Sequence, residues 1–287
     1  MVENIKFGRK YTLLVDTVND TTIEIKPPLT LEFNCKRNNL ATANTASFKI
    51  YNLKEVTRNS IYKDKYNTLI YRKVELKAGY KEDSPIIFRG NILQAFSYRS
   101  GVNIITEITA YDGGFAISNS ISAISVEKEE PQENVLATLV NDLRNVQGSR
   151  IGTFTRNSTR GRVLFGNTAD LLVNETNDNF FIDNEKAYLL NRNEVIESGI
   201  SIINAQSGLL ESPRRSETQI IFKMLFEPQL QVSQIIELQS VINSILNGQY
   251  KVIGFEHIGT ISEAVGGKCE TNVSLWLGSE PLTIIGG

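Results

Sequence analysis

"SFKIYNLKEVTRNSIYKDKY" (residues 47–66) begins as an alternating strand, with Phe48 and Ile50 on one side, and turns abruptly helical at Asn52. Period-two alternation is the mark of a strand with one buried face. Asn52, followed three residues later by Glu55, has the spacing of an N-cap with its box partner. Leu53 and Val56 lie three apart and are expected to share one helical face. A helix of about two turns is too short to persist alone in water. It is expected to lie on a β structure, closing an open end of a barrel.

Strands surround this stretch. "LTLEFNCK" (residues 29–36) puts Leu29, Leu31, Phe33 and Cys35 on one face, and "RKVELKAGY" (residues 72–80) does the same with Val74, Leu76, Ala78 and Tyr80. "IITEITAYD" (residues 104–112) follows with Ile104, Thr106, Ile108 and Ala110. "IIFRGNILQAFSY" (residues 86–98) is apolar enough for a central strand, with Gly90 read as a bulge or bend. Such strands with turn-rich breaks predict a barrel or sandwich, here a first barrel over residues 1–115.

The pattern changes at Gly113 and Gly114, read as a turn that opens an exposed, Ser-rich and acidic connection running to Pro131. "QENVLATLVNDLRNV" (residues 132–146) reads as a helix burying Val135, Leu136, Leu139, Val140 and Leu143. A basic loop follows over residues 148–166. After it come a short helix and a hairpin with strands at 180–182 and 187–190, turning at Asp183, Asn184 and Glu185. Residues 116–195 are thus expected to form a small α+β domain. Strands return from Ser198. A Glu227-Pro228 turn, the hairpin-type dipeptide Asn247-Gly248 and the alternation of Cys269, Thr271, Val273, Leu275 and Leu277 predict a second all-β unit over 196–287. The expected class is mainly β: two antiparallel barrel-like domains flanking a small α+β domain.

Bulk composition narrows the function classes. The chain has 287 residues, 41% apolar and 22% charged, which is enough to bury a sizeable core. A net charge of −2 gives no global attraction to DNA or to an anionic membrane. No apolar run reaches the ~18 residues of a spanning helix, and the N-terminus does not read as a signal peptide. Cys35 and Cys269 cannot build a disulfide framework, so a reducing compartment is expected, with both thiols facing the core.

Candidate chemistry is sparse. His257 is the only histidine, so any histidine-dependent nucleophilic site must use it; its position at the end of an alternating strand reads as surface or packing. One His and two distant Cys lack zinc spacing. "NETNDNFFIDNE" lacks the glycine and ligand rhythm of a calcium loop. "AGYKEDSPIIFRGN" and "SGLLESPRR" are not phosphate-binding loops. Arg150, Arg156, Arg160 and Arg162 form a basic cluster with only Phe154 interleaved, which suits a solvated loop or a protein contact better than nucleic acid. No catalytic, cofactor-binding or metal-binding residue is assigned and no cofactor is expected. The residues point to an interaction or structural protein.

A resemblance adds to this. "LTLEFNCKRNNLATANTASFKIYNLKEVTRNSI", "VELKAGYKEDSPIIFRGNI" and "ITEITAYDGG" resemble the opening of bacteriophage tail hub proteins. "INAQSGLLESPRR", "FKMLFEPQLQVSQIIELQS" and "NGQYKVIGFEHIG" resemble the second barrel of the same family. The family is similar in fold to the hub of contractile phage baseplates and of type VI secretion spikes. The resemblance implies a non-enzymatic virion protein, assembled in the host bacterial cytoplasm as a homotrimer with two related barrels per chain. It implies an adaptor between a six-fold tail tube and a three-fold spike that gates the channel for genome delivery. The implied partners are copies of itself, a tail tube or tube-initiator protein, a spike protein and a tape measure protein, with no specific nucleic acid sequence and no membrane anchor. Polar loops such as "RNNLATANT" are the natural contact elements. An alternative is a carbohydrate-binding host-recognition module that stacks sugars on Tyr51, Tyr80, Tyr98 or Trp276; a tail-associated hydrolase finds no catalytic set.

Overall fold

The computed structural model describes residues 6–80, 84–278 and 280–285. The expectations for the first five residues and for 81–83 of the "AGYKEDSPIIFRGN" stretch lie outside them. The described residues are mainly β.

The alternation in the first third becomes seven strands: β1 (Arg9–Asp16), β2 (Thr22–Ile25), β3 (Leu31–Asn38), β4 (Asn44–Tyr51), β5 (Lys73–Tyr80), β6 (Ile86–Ser100) and β7 (Asn103–Asp112). They pair antiparallel in the order β3-β4-β7-β6-β5-β1-β2. Because side chains alternate across a strand, Leu31, Phe33, Cys35, Phe48, Ile50, Val74, Leu76, Ile108 and Ala110 converge on one buried face.

The helix α1 (Glu55–Ile61) departs from its expected start. Asn52 does not cap it. Its φ is +58°, a left-handed conformation that asparagine tolerates better than most residues. Its side chain serves the neighbouring hairpin instead: Oδ1 accepts from the Ile104 amide at 3.0 Å, and Nδ2 donates to Asn103 Oδ1 at 3.0 Å. Lys54 precedes the first helical residue and makes no side-chain cap. With the helix starting later, Leu53 lies before it, Ile61 becomes its buried anchor, and Val56 faces solvent at 81% exposure. Gly90 is not a bulge either. The irregularities in β6 fall between Ile92 and Gln94 and opposite Leu76 and Lys77. Gly90 permits a close backbone approach: a Cβ there would stand 2.6 Å from the Tyr111 carbonyl oxygen.

The expected exposed connection over 113–131 contains a helix, α2 (Gly114–Asn119), and a strand, β8 (Ile121–Val126). Serine hides this strand in the sequence. Ser122 is nevertheless buried, its hydroxyl 2.8 Å from that of Thr168, while Ile121 on the other face is exposed. Then come α3 (Gln132–Asn141), β9 (Ser149–Ile151), β10 (Arg162–Asn167), α4 (Thr168–Thr176), β11 (Phe180–Asp183) and β12 (Lys186–Leu189). The helix α3 buries Val135, Leu136, Leu139 and Val140 as its period predicts. Asn167 caps α4, accepting from the amides of Ala169 and Asp170 at 2.9 and 3.2 Å. β8 pairs with β10, and β11-β12-β9 form a small sheet around a separate core.

The last third holds β13 (Glu194–Ile203), β14 (Arg214–Ser216), β15 (Gln219–Leu225), β16 (Gln234–Leu238), β17 (Gly248–Ile261), β18 (Cys269–Trp276) and β19 (Thr283–Ile285). β14, β15, β18, β17 and β16 pair antiparallel, but β13 pairs parallel with both β16 and β19, so this half is mixed rather than purely antiparallel. Asn247-Gly248 makes no two-residue hairpin. A longer connection with a 3-10 turn (Ser244–Leu246) joins β16 to β17. The Asn247 side chain closes its mouth on Ser240, accepting from the amide at 2.7 Å and donating to the carbonyl at 3.2 Å.

One pairing organises the molecule. β17 runs antiparallel to β3, from Gly254↔Asn38 to Ile261↔Leu31. It fuses the first and last thirds into one sheet of fourteen strands among the described residues. Phe226, Ile261 and Cys269 from the last third lodge in the first core.

Candidate functional site

The β11-β12 hairpin lies where the middle and last hydrophobic cores meet. All four residues of β11 are buried. Phe180 and Ile182 enter the middle core, whereas Phe181, stacked on Tyr188 with centroids 4.9 Å apart, enters the last one. The polar turn between the strands therefore points at the first third.

That turn meets a polar socket. Arg37 of β3 donates from Nε to Asp183 Oδ1 at 2.7 Å and from Nη2 to Oδ2, and its Nη1 reaches the Ile87 carbonyl at 3.1 Å. The guanidinium also lies 5.0 Å over the Phe255 ring of β17. Asn44 donates to the Ile182 carbonyl and to Asp183. Asp112 accepts from the amides of Asn184 and Glu185. Glu185 meets the Tyr71 hydroxyl, Gln147 Nε2 at 2.9 Å and Lys73 Nζ at 3.1 Å. Burial, and then the charge of Asp183, hold the Asp112 carboxyl above the ordinary carboxylate range; the two amides and Arg37 oppose the shift. Arg37, Asp112, Asp183 and Glu185 are all buried, and each is hydrogen-bonded within the joint.

The residues singled out in the sequence are dispersed. His257 is buried between β3 and β18, not at a strand edge. Its Nδ1 lies 2.9 Å from Thr271 Oγ1, and its ring packs on Phe226 and Phe255. Burial, helped by Arg37, depresses its pKa to about 3, so it is neutral. Cys35 is its cross-strand neighbour, and burial pushes that thiol up and keeps it protonated, which leaves no activated pair. Cys269 is buried as expected. Among the described residues, no group of three or more His, Cys, Asp or Glu is arranged to hold a metal ion.

Arg150 sits in β9, and Arg156, Arg160 and Arg162 line a cleft with Gln132 and Glu175. Arg162 is already paired with Glu175 at 2.7 Å. Tyr51 and Tyr98 share one row across β4, β7 and β6 through Ile105. Tyr80 is tied inward, its hydroxyl donating to the Phe226 carbonyl at 3.0 Å, and Trp276 stands half-buried in β18.

Exposed apolar side chains mark surfaces that sequence alone left unremarked. The β16–β17 connection exposes Val241, Ile242 and Ile245, and the outer face of the β8-β10 ribbon exposes Ile121, Val163 and Phe165. A third group, Tyr62, Tyr66, Leu69 and Ile70, lies between α1 and β5. Lys63 and Arg72, near the two ends of this stretch, are buried; the sequence carries no signal of it, since such charged residues are ordinarily exposed. No helix among the described residues is long and apolar enough to cross a membrane.

A mainly β chain with two sheet halves fused at a seam matches known tail proteins. Residues 13–258 match the family described as Baseplate hub gp41, and the chain belongs to that family. Among solved structures it is similar to a tail protein from Neisseria meningitidis MC58, with a TM-score of 0.58 at 10% identity, covering 94% of this chain and 97% of that one. It is similar to the 43 kDa tail protein of prophage MuSo2 from Shewanella oneidensis, with a TM-score of 0.60 at 8% identity, covering 92% and 96%. It is also similar to the E. coli c3393 protein, a type VI secretion component described as structurally similar to T4 tail proteins gp27 and gp5, with a TM-score of 0.56 at 8% identity, covering 89% and 75%. At these identities the likeness is one of fold. No curated protein matches the chain by sequence.

Proposed function

We propose that this baseplate hub protein works by geometry rather than by chemistry, as a virion component that forms a ring of three chains. Each chain contributes two sheet halves, so three copies offer six related modules to a six-fold tail tube and three-fold symmetry to a spike. The observation that supports this reading is the β3–β17 seam, which makes the two halves one continuous sheet. The division into modules over residues 1–115, 116–195 and 196–287 belongs to the same proposal. The partners are further copies of the chain, a tube or tube-initiator protein, a spike protein and a tape measure protein. Assembly takes place in the host cytoplasm, and the ring closes the channel until the genome leaves.

The test is co-expression with the tube-initiator and spike proteins, followed by size-exclusion chromatography with light scattering. A complex holding three copies of this chain is expected. Recovery of one-copy or two-copy complexes only would overturn the ring.

A further inference from the structure

The loop between α1 and β5 is pinned at its neck. Lys63 and Ala95 exchange backbone hydrogen bonds at 2.9 and 3.0 Å. Further back along β6, the Ile92 amide donates to the Arg72 carbonyl at 2.8 Å, and Asn91 Oδ1 accepts from the Arg72 amide at 3.0 Å. Ends held this close make residues 64–71 a compact Ω-type loop. Its outer surface is mixed: Tyr66 and Leu69, each 80% exposed, and Ile70 at 46% stand among exposed Asp64, Lys65, Asn67 and Thr68.

Two buried cations hold the neck. Lys63 is 4% exposed and Arg72 6%. Lys63 Nζ donates to the Ile92 carbonyl, and Arg72 Nη2 donates to the Tyr62 carbonyl at 2.7 Å. Among the described residues, Nε and Nη1 of Arg72, both closed to solvent, find no hydrogen-bond partner. Among the described residues neither cation forms an ion pair. Asp16 acts on Arg72 only at a distance, its carboxylate being engaged by the Thr22 hydroxyl and the Lys73 amide. Burial, and then Arg72, push the Lys63 pKa down to about 8. A buried charge without a counter-charge is costly, so negative charge brought against the outside of the neck is favoured, acting through the low-dielectric interior rather than by contact with the closed atoms. The surroundings have the same sign. Residues 54–72 carry Lys54, Arg58, Lys63, Lys65 and Arg72 against Glu55 and Asp64, in a chain whose net charge is −2.

We propose that this loop docks an acidic, apolar segment of a partner protein. An Asp or Glu of that segment would compensate buried Arg72 and Lys63 through the low-dielectric neck without touching them, and its apolar neighbours would cover Tyr66, Leu69 and Ile70. The proposal stands on these residues alone and does not require the three-chain ring.

The experiment screens the full-length chain against a displayed library of random dodecapeptides, alongside Arg72→Gln and Leu69→Ser variants. Retained peptides are expected to carry Asp or Glu among aliphatic or aromatic residues. Replacing that acid by its amide is expected to weaken binding by about tenfold or more. Arg72→Gln should erase the preference for the acid. Leu69→Ser, at an exposed position that leaves folding intact, should weaken the same peptides even if Arg72→Gln fails to fold. Retained peptides without acid enrichment, no retained peptides, or equal binding by native chain and variants would overturn the proposal. Self-association of the native chain abolished by Leu69→Ser would also overturn it, by giving this face to a second copy.

Discussion

Arg37 and Asp183, 146 residues apart, form a two-bond fork in which both side chains are almost free of solvent. One belongs to the strand at the β3–β17 seam and the other to the turn of the β11-β12 hairpin, so the pair ties the middle of the chain to the first sheet half. Asp183→Ala leaves the guanidinium buried and unpaired. We expect a loss of roughly 3–5 kcal/mol, the range for breaking a buried pair from one side. Urea unfolding followed by the fluorescence of Trp276, the single tryptophan, measures it. The double variant Arg37→Met, Asp183→Leu should recover much of the loss, since buried pairs replaced as a unit are often nearly neutral.

His257 and Asp112 impose opposite pH dependences. The pKa of His257 falls from 6.5 to about 3 on folding, so its stability contribution is present above about pH 6.5 and is lost as pH falls toward 3. Asp112 is raised on folding from 3.8, so the native state binds a proton more readily than the unfolded chain, and its contribution grows as pH falls through the neutral range toward 4. The two partly cancel between about pH 4 and 6.5. We expect His257→Gln to flatten the acid loss of stability and Asp112→Asn to steepen it. Melting temperatures measured across this range decide the matter; parallel profiles for both variants and the native chain would show that neither group titrates as described.

Gly90 is required for close approach rather than for a turn. A Cβ would stand 2.6 Å from the Tyr111 carbonyl oxygen, a backbone atom that cannot move without disturbing the β6-β7 ladder. Gly90→Ala is expected to cost about 1–3 kcal/mol, as overpacking does. Gly148→Ala is the control for open space, since nothing lies within 4 Å of a Cβ there and its φ lies outside the left-handed region. Chemical denaturation of both variants gives the comparison.

Phe226 couples the two sheet halves. It follows β15 in the last third, yet packs edge-on against Phe33 at 5.8 Å and tilted against Tyr80 at 6.0 Å in the first core. Its ring also meets His257 at 5.2 Å. Phe226→Ala should cost roughly 3–5 kcal/mol. Hydrogen exchange should rise in both β3 and β17. A rise confined to the last third would contradict the coupling.

The alternating runs were legible because a half-buried strand writes its inner face at every second residue. Leu31, Phe33 and Cys35 could be assigned inward without knowing what they touched, and so could the single stripe of α3. The buried role of Arg37, Asp112 and Asp183 was illegible for the converse reason: a charged residue inside is indistinguishable in sequence from one outside until its partner, 72 to 146 residues away, is in place. Asn52 misled because asparagine serves both as a helix cap and in left-handed turns, and only the neighbouring Asn103 and Ile104 selected the second role. β8 was missed because its inner positions include serine, whose burial depends on the Thr168 hydroxyl.

The amino-acid order by itself determined the pleat and inner faces of the alternating strands, such as β3 and β5, and the buried stripe of α3, since those follow from short-range periodicity. The tertiary structure alone decided that β3 meets β17, that the hairpin turn enters a socket, and that Lys63 and Arg72 are buried without a counter-charge. Such outcomes depend on long-range pairing, where the energy of each group is set by neighbours distant along the chain.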